Sequence, residues 1–184
     1  MMSEIINAND PKLKSSKVVF DTNIWIFIEG FCGSSSDRTT AYSNAYSKLL
    51  KQDNKIVVND YVLGEFSNRC SRYEYDLLKA ADNALPSFKR YRSSTEFRSV
   101  MESVRDTCLH ILDGCEYVSV GKSDCDLRRM IEEFHLGKID FSDLMLVNHC
   151  SQEKFCLMTD DIDYHGCGIT IITANKKLIA KMGN

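Results

Sequence analysis

The segment Val18-Val19-Phe20-Asp21-Thr22-Asn23 joins a short apolar run to an aspartate and two polar residues. We interpret the run from Lys17 to Phe20 as a buried strand, since a short continuous apolar stretch is typical of strands covered on both faces. Asp21 would then lie at the carboxyl end of this strand, where open parallel sheets bind their ligands. Aspartate also caps helices, and this role alone would account for Asp21. The segment predicts an α/β sheet whose carboxyl edge carries a carboxylate.

Three further acidic segments lie at the end of a predicted strand or near the start of a predicted helix. Thr159-Asp160-Asp161-Ile162-Asp163 follows an apolar run, Asp140-Phe141-Ser142-Asp143 precedes one, and Glu65 lies about one turn into a helix. Each has an ordinary explanation: a solvated turn, a helix cap, or an exposed glutamate paired with Arg69. Carboxylates that converge at one sheet edge, however, repel one another unless cations hold them together. The four segments together predict a metal site.

Short apolar runs alternate with helical segments along the chain, which indicates an α/β fold with a central, mostly parallel sheet flanked by helices. Five strands and about seven helices fit the 184 residues. We expect residues 1–16 to be a flexible lead-in and residues 17–184 to form a single domain, with a protruding helical insertion at about 66–112. The predicted strands are Lys17–Phe20, Lys55–Asn59, Cys115–Val120, Phe155–Met158 and Ile169–Ile172.

Several helix ends are predicted from residues that favour caps. Asp60 is expected to cap the helix after the second strand, and Ser123 is expected to cap a later helix that Gly137 ends. Asp140 or Ser142 is expected to open the helix that runs through Cys150.

Eight cysteines are many for this length, but they contain no CxxC pair, so a disulfide framework or a zinc ribbon is not indicated. Cys150 and Cys156 lie in apolar segments, where free cysteine behaves as a small hydrophobe. His149, His165 and Cys167 lie nearby in sequence, and we favour buried cysteines and surface histidines over a zinc site. Free thiols are expected in a reducing cytoplasm.

Composition excludes some classes of protein and leaves others open. No apolar run approaches the roughly 20 residues that span a bilayer, and Met1 to Asp10 lacks the apolar core of a secretory signal. The net charge of −3 does not indicate a nucleic-acid binder, although bound cations would offset several acids. Trp25 is expected in the core, with base stacking as the alternative. Basic residues that could meet phosphates or form a solvated face are Lys89, Arg90, Arg92, Arg98, Arg105, Lys176, Lys177 and Lys181.

The carboxylate inventory suits one class of chemistry. Hard divalent cations such as Mg²⁺ bind carboxylate oxygens and retain several waters. Two such ions about 3.5–4 Å apart can stabilise both the attacking and the leaving oxygen of a phosphodiester cleavage. This chemistry requires several acids and no histidine or cysteine nucleophile.

The four acidic segments resemble the motifs of the PIN-domain family of metal-dependent nucleases, over most of residues 17–173. Val19-Phe20-Asp21-Thr22-Asn23 is similar to the opening strand with its Asp-Thr-Asn signature, and Glu65-Phe66 to the helix glutamate after the second strand. Asp143-Leu144-Met145-Leu146-Val147 resembles the aspartate at the head of a buried helix. The segment from Leu157 to Tyr164 resembles the strand-Thr-x-Asp-x-Asp-aromatic motif. The 66–135 stretch is longer than in compact members of the family.

The resemblance implies a three-layer fold and a role for each acid. The principal catalytic and metal-binding residues would be Asp21, Glu65, Asp143 and Asp161, with Mg²⁺ or Mn²⁺ as the cofactor. The supporting residues would be Asn23, Thr159, Asp140, Asp160 and Asp163.

The leading hypothesis is an endoribonuclease that hydrolyses RNA phosphodiester bonds, as the toxin of a toxin–antitoxin pair. Two alternatives stay open: a PIN-like module that binds RNA or protein without cutting, and a structure-specific DNA nuclease. The resemblance also leaves open an antitoxin partner and a homodimer.

Overall fold

Six parallel strands form the sheet in the computed structural model, which describes residues 4–33, 36–122, 126–137 and 139–181, without the side chains of Ser36 and Lys122. The strands lie in the order β1-β6-β5-β2-β3-β4. Their bounds are β1 Ile5–Asn7, β2 Lys17–Phe20, β3 Lys55–Val58, β4 Glu116–Tyr117, β5 Cys156–Met158 and β6 Ile171–Thr173. The predicted α/β class with a central parallel sheet is confirmed.

Helices join the strands and cover the sheet. Short 3₁₀ turns occupy Val120–Lys122 and Ile162–Tyr164. The helices are α1 Thr22–Glu29, α2 Ser36–Lys51, α3 Asp60–Ala81, α4 Phe88–Tyr91, α5 Arg98–Gly114, α6 Leu127–His135, α7 Phe141–Glu153 and α8 Lys176–Ile179. Every helix within the described ranges is too short or too polar to cross a membrane.

The strand count corrects the prediction of five strands. The additional strand, β1, pairs in parallel with β6, with Ile5 opposite Ile171. It lies within the stretch expected as a lead-in. Backbone bonds extend the pairing, since Ile171 donates to the Glu4 carbonyl and Ala8 donates to the Thr173 carbonyl, both at 2.8 Å. Only two consecutive apolar residues, Ile5 and Ile6, lie between the polar Glu4 and Asn7, and this run is too short to indicate a strand.

The strand order creates a crevice between β2 and β5. From β2 the chain moves outward through β3 to β4, and it then returns to the other side of β2 to form β5 and β6. The connections therefore diverge at the carboxyl ends of β2 and β5, and such a switch point is where open α/β sheets bind ligands.

Strand β2 is the centre of the core. Val18, Val19 and Phe20 have no exposed surface, and their register places Val18 opposite Cys156 and Phe20 opposite Met158. Burial of such side chains stabilises the fold by roughly 1.5–3 kcal/mol each. Trp25 is 2% exposed and its ring centroid lies 5.1 Å from that of Phe20, so the core role predicted for it is confirmed.

The predicted cap at Asp60 is wrong, whereas Asp140 opens its helix as predicted. Asn59, not Asp60, caps α3, because its side-chain oxygen accepts the Val62 N–H at 2.8 Å. Asp60 instead accepts the Val120 N–H at 3.0 Å and ties α3 to the segment after β4. Asp140 is the N-cap of α7 but makes no side-chain capping bond. Gly137 follows α6 with a φ of 65°, and Ser123 lies outside the described residues.

Helices α3 and α5 pack against each other and carry a small aromatic cluster between them. Tyr75, Phe88, Tyr91 and Phe97 contact one another with ring centroids 5.4–6.3 Å apart. The assignment of this region as an insertion at 66–112 within one domain stays a prediction.

The cysteine positions agree with small-hydrophobe roles for several of them. Cys70, Cys150 and Cys156 are buried, and the seven cysteines within the described ranges are free thiols. Cys125 lies outside those ranges.

His149 is buried, contrary to the surface position expected for it. It has no exposed surface, and neither ring nitrogen has a hydrogen-bond partner among the described residues. Burial lowers the pKa of this imidazole, with an opposing effect from Glu153 and Asp60. Because folding lowers the pKa of His149 below the unfolded value of about 6.5, the folded state binds fewer protons than the unfolded state, and stability falls as the pH drops below about 6.5.

His149→Leu is therefore expected to raise the free energy of unfolding, by about 1 kcal/mol near pH 7.5 and by more at pH 5. The reason is that leucine removes a buried polar group without a hydrogen-bond partner, which costs roughly 1–3 kcal/mol. Urea denaturation of both proteins at the two pH values measures the difference. The exposed His165→Leu is the matched control and should change neither value. A His149→Leu protein that is less stable than the wild-type protein at pH 5 would contradict the prediction.

Candidate active site

Asp21 lies at the carboxyl end of β2 and serves two purposes there. It caps α1 by accepting the Thr22 N–H on Oδ1 at 2.7 Å. Its Oδ2 accepts the Thr159 hydroxyl at 2.7 Å and the Asn23 side-chain amide. The side chain is only 6% exposed. The cap and the site carboxylate, which the sequence left as alternatives, are therefore both present.

Asn23 and Thr159 link the ends of the two strands that flank the crevice. Asn23 Oδ1 accepts the Asp160 N–H at 3.2 Å, and Thr159 Oγ1 accepts the Asp161 N–H at 3.0 Å. The Asp21 N–H also donates to the Met158 carbonyl at 2.9 Å. These bonds hold the Asp21 carboxylate in one orientation.

Glu65 reaches the same place from α3. Its Oε2 accepts the Thr22 hydroxyl at 2.8 Å, and its Oε1 lies 3.4 Å from Nη1 of Arg69. The contact with Arg69 is the helix pair predicted as the ordinary explanation for this glutamate. The bond from Thr22 adds a second tie, to the residue directly after Asp21, and turns the carboxylate toward α1.

Asp143 lies in the first turn of α7 and is held by an aromatic residue. The Tyr164 hydroxyl donates to Asp143 Oδ1 at 2.7 Å, and Tyr164 is itself buried. Tyr164 comes from the turn after β5, so the bond fixes α7 against the carboxyl end of that strand.

The charges of these carboxylates act on one another's ionisation at Asp21 and at Asp143. Burial raises the pKa of Asp21 to about 7, and the negative charges of Glu65 and Asp143 add to the rise, against the hydrogen bonds from Thr159 and Thr22. Burial likewise raises the pKa of Asp143, helped by the charges of Asp161, Glu65 and Asp140. We call Asp21, Glu65 and Asp143 the acid cluster.

The donor chemistry of the acid cluster fits a hard divalent cation. The charge of Glu65 helps to raise the pKa of Asp21 and that of Asp143, and a cation bound beside these two acids would lower both pKa values. As the side chains stand, no group of three or more His, Cys, Asp or Glu among the described residues is arranged to hold a metal ion. The Thr22 hydroxyl holds one oxygen of Glu65, and the Tyr164 hydroxyl holds one oxygen of Asp143. Both carboxylates would have to turn to bind a common ion.

The remaining predicted acids differ in position. Asp161 lies near enough to Asp143 to raise its pKa, and its Oδ1 accepts the Asp163 N–H at 3.0 Å. Asp163 is exposed, and Asp140 is an exposed N-cap whose charge acts on Asp143. Asp160 makes different contacts: Oδ1 accepts the Tyr42 hydroxyl and Oδ2 pairs with an arginine.

Two residues that orient the acids were not assigned this role from the sequence. Thr22 and Tyr164 donate hydroxyl hydrogens to Glu65 and Asp143. Thr22 is the threonine of the Asp-Thr-Asn segment, and Tyr164 is the aromatic residue that ends the motif after β5. Both residues therefore lie inside motifs that the sequence shows. The motif pattern marks the acids by charge, but it does not show which neutral hydroxyl faces which acid.

Comparisons with known proteins support the fold. No family model and no curated protein matches the chain. The structure is similar to VapBC2 from Rickettsia felis, solved bound to a DNA fragment from their promoter, with 17% identity over 85% of this chain and 98% of that chain and a TM-score of 0.54. PAE2754 from Pyrobaculum aerophilum shares 12% identity over 90% and 89% of the chains, with a TM-score of 0.47. At this identity the first likeness shows the fold alone, and it supports the PIN-like fold predicted from the sequence.

Proposed function

We propose that the chain is a divalent-cation-dependent endoribonuclease, which hydrolyses phosphodiester bonds within RNA. The observation that carries this proposal is the acid cluster. Asp21, Glu65 and Asp143 come from β2, α3 and α7, and they meet beside the crevice at the strand-order switch point. Partly buried acids whose negative charges repel one another lower the stability of a fold, so a role in binding a cation explains their position better than a role in packing.

The chain's own residues prepare this site in three ways. Thr159 and Asn23 fix the Asp21 carboxylate, Thr22 orients Glu65, and Tyr164 orients Asp143. The pKa of Asp21, raised to about 7, means that this side chain is mostly protonated below pH 7, and a bound cation would favour its ionised form. Mg²⁺ or Mn²⁺, when bound, would supply positive charge to the scissile phosphate and lower the pKa of an attacking water.

The first test is the dependence of cleavage on metal and substrate. Purified protein should cut a labelled single-stranded RNA internally with Mg²⁺ or Mn²⁺, lose this activity in EDTA, and recover it when the cation is restored in excess. Single-stranded DNA and a flap DNA of the same sequence run beside the RNA. Cleavage that persists in EDTA would overturn the metal requirement, and preferred cutting of the flap would favour the DNA nuclease.

A non-catalytic binding module is the second candidate, because no three acids stand preassembled for a metal among the described residues. A titration with Mn²⁺, followed by thermal denaturation, separates the two candidates. A rise in melting temperature that saturates with Mn²⁺ supports the nuclease. RNA binding without any effect of Mn²⁺ supports the module.

The biological setting belongs to the same proposal. The resemblance of the four motifs to toxin-type members suggests a toxin neutralised by a small antitoxin protein, acting in the cytoplasm, and it leaves a homodimer open. Co-expression with the product of the adjacent reading frame, followed by co-purification and the RNA assay, tests for an antitoxin.

A further inference from the structure

A cavity of about 500 Å³ opens beside the acid cluster, and we call it the basic groove. Asn23 and Asp161 line the side of the groove toward the acids. Its cationic lining residues come from α2, α3 and α8, and they are Arg38, Arg69 and Lys177. An anionic substrate that approaches the acid cluster is repelled by the carboxylates. Cationic side chains beside the cluster can offset this repulsion by binding the anion.

Arg38 contacts an acid and an aromatic ring in the basic groove. Its Nη1 lies 3.1 Å from Asp160 Oδ2, and its guanidinium lies over the Phe27 ring, 5.4 Å from the centroid. Phe27 stacks on Tyr42 with centroids 5.7 Å apart, and the Tyr42 hydroxyl donates to Asp160 Oδ1 at 2.6 Å. An arginine held on two sides loses little rotamer freedom when it binds an anion.

Asp160 is committed to this arrangement and not to the acid cluster. Both of its carboxylate oxygens are engaged, by Tyr42 and by Arg38, and its side chain is only 9% exposed. Its backbone carbonyl accepts the Asn175 amide at 2.6 Å.

The rest of the lining suits a strand without a base-paired partner. Ile26, Phe27 and Ile162 add apolar surface directly beside the cations. Proteins that bind single strands combine a cationic track for the backbone with apolar or aromatic surface for unstacked bases. A duplex would present only phosphates to this surface.

We propose that Arg38 binds a phosphate of single-stranded RNA next to the bond to be cut, and that Asp160 is a positioning residue that acts through Arg38. The proposal rests on the proposed function, since it takes the acid cluster as the place of cleavage. The Arg38 side chain is 54% exposed, so a phosphate can approach the guanidinium from the solvent while Asp160 pairs with Nη1.

Binding can be measured whether or not the protein cleaves RNA. Fluorescence anisotropy with a labelled single-stranded oligoribonucleotide, in the Asp143→Asn background with Mg²⁺, gives Kd at several salt concentrations. Arg38→Ala should raise Kd about tenfold and lower the slope of log Kd against log salt by about 0.7, the value of one lost contact to a single strand. Arg128→Ala, which removes an exposed charge on α6 outside the groove, is the control and should change neither quantity.

Asp160→Asn separates positioning from a structural or metal-binding role. Asparagine can still accept from Tyr42, so the melting temperature should stay within a few degrees. Kd should rise about threefold with an unchanged salt slope, because Arg38 keeps its charge but loses its anchor. The affinity for Mn²⁺, measured in the otherwise wild-type protein by calorimetry, should not change. The double variant Arg38→Ala/Asp160→Asn should bind RNA no more weakly than Arg38→Ala alone.

Three results would overturn the proposal: Arg38→Ala that binds RNA like the wild type, Asp160→Asn that loses Mn²⁺ affinity, or tighter binding of duplex than of single-stranded RNA. Failure of the proposed function has a different signature. In that case the wild-type protein cuts no substrate with any cation, while the effects of Arg38→Ala and Asp160→Asn on binding are still measured.

Discussion

Asp143→Asn is expected to abolish the divalent-cation-dependent cleavage of RNA while the protein stays folded. The substitution removes one negative charge from the acid cluster and leaves an oxygen that can still accept from Tyr164. Loss of a residue that merely supports a metal ligand costs about 10–100-fold in activity or metal affinity. Loss of a proposed ligand should therefore lower kcat/KM by more than about a hundredfold.

The measurement is a single-turnover cleavage assay with Mn²⁺, beside thermal denaturation of the same samples. Asp143 is half-buried and its pKa is raised in the folded protein, so a neutral amide there should not lower the melting temperature. Asp140→Asn, three residues earlier on the same helix, is the matched control and should retain activity within a few-fold. Equal activity in Asp143→Asn and the wild-type protein would remove Asp143 from the site.

The Asp21 carboxyl is expected to lower the stability of the metal-free protein as the pH rises from about 4 to about 7. Burial and the neighbouring acids raise the pKa of Asp21 from 3.8 to about 7 on folding. The folded state therefore binds a proton that the unfolded state has released, and stability falls wherever the folded state binds more protons. The contribution is fully present below pH 4 and lost as the pH passes through 7. The full rise corresponds to at most roughly 4 kcal/mol.

Urea denaturation in EDTA at pH 5 and at pH 8 measures this loss. Asp21→Asn should flatten the difference, because the amide cannot ionise, and Asp163→Asn should not, because Asp163 is exposed. Excess Mn²⁺ should restore stability at pH 8 far more than at pH 5, since a cation competes with the proton for Asp21. The same change in stability between pH 5 and pH 8 in the wild-type protein and in Asp21→Asn, both in EDTA, would contradict the expectation.

Much of the fold could be predicted because its central strands are continuous apolar runs. Val18, Val19 and Phe20 are buried on both faces of the sheet, so the segment is apolar without interruption and the following Asp21 marks its end. Strand β1 lacks this signal. It contributes Ile5 and Ile6 at a sheet edge, and its pairing with β6 depends on a partner more than 160 residues later in the chain.

The acids of the site could be predicted as a set, but not their individual surroundings. Asp160 and Asp161 are adjacent in sequence and chemically identical. They nevertheless interact with different elements. Asp160 accepts a hydrogen bond from Tyr42 on α2, whereas the charge of Asp161 acts on Asp143 on α7. The direction of each depends on the backbone of the turn after β5, which spacing in the sequence does not specify. The same limit applies to Thr22, whose hydroxyl role depends on where α3 packs.

The bond between Thr159 and Asp21 joins residues 138 positions apart, and this separation determines when the site can exist. A ribosome delivers the chain at roughly 5–20 residues per second, beginning at the N-terminus. Asp21 and Glu65 emerge well before β5, Thr159 and Tyr164, and parallel strands distant in sequence pair slowly. A nascent chain that has not yet reached β5 therefore carries its first acids without the partners that orient them, and the acid cluster can assemble only after residue 164 has been made.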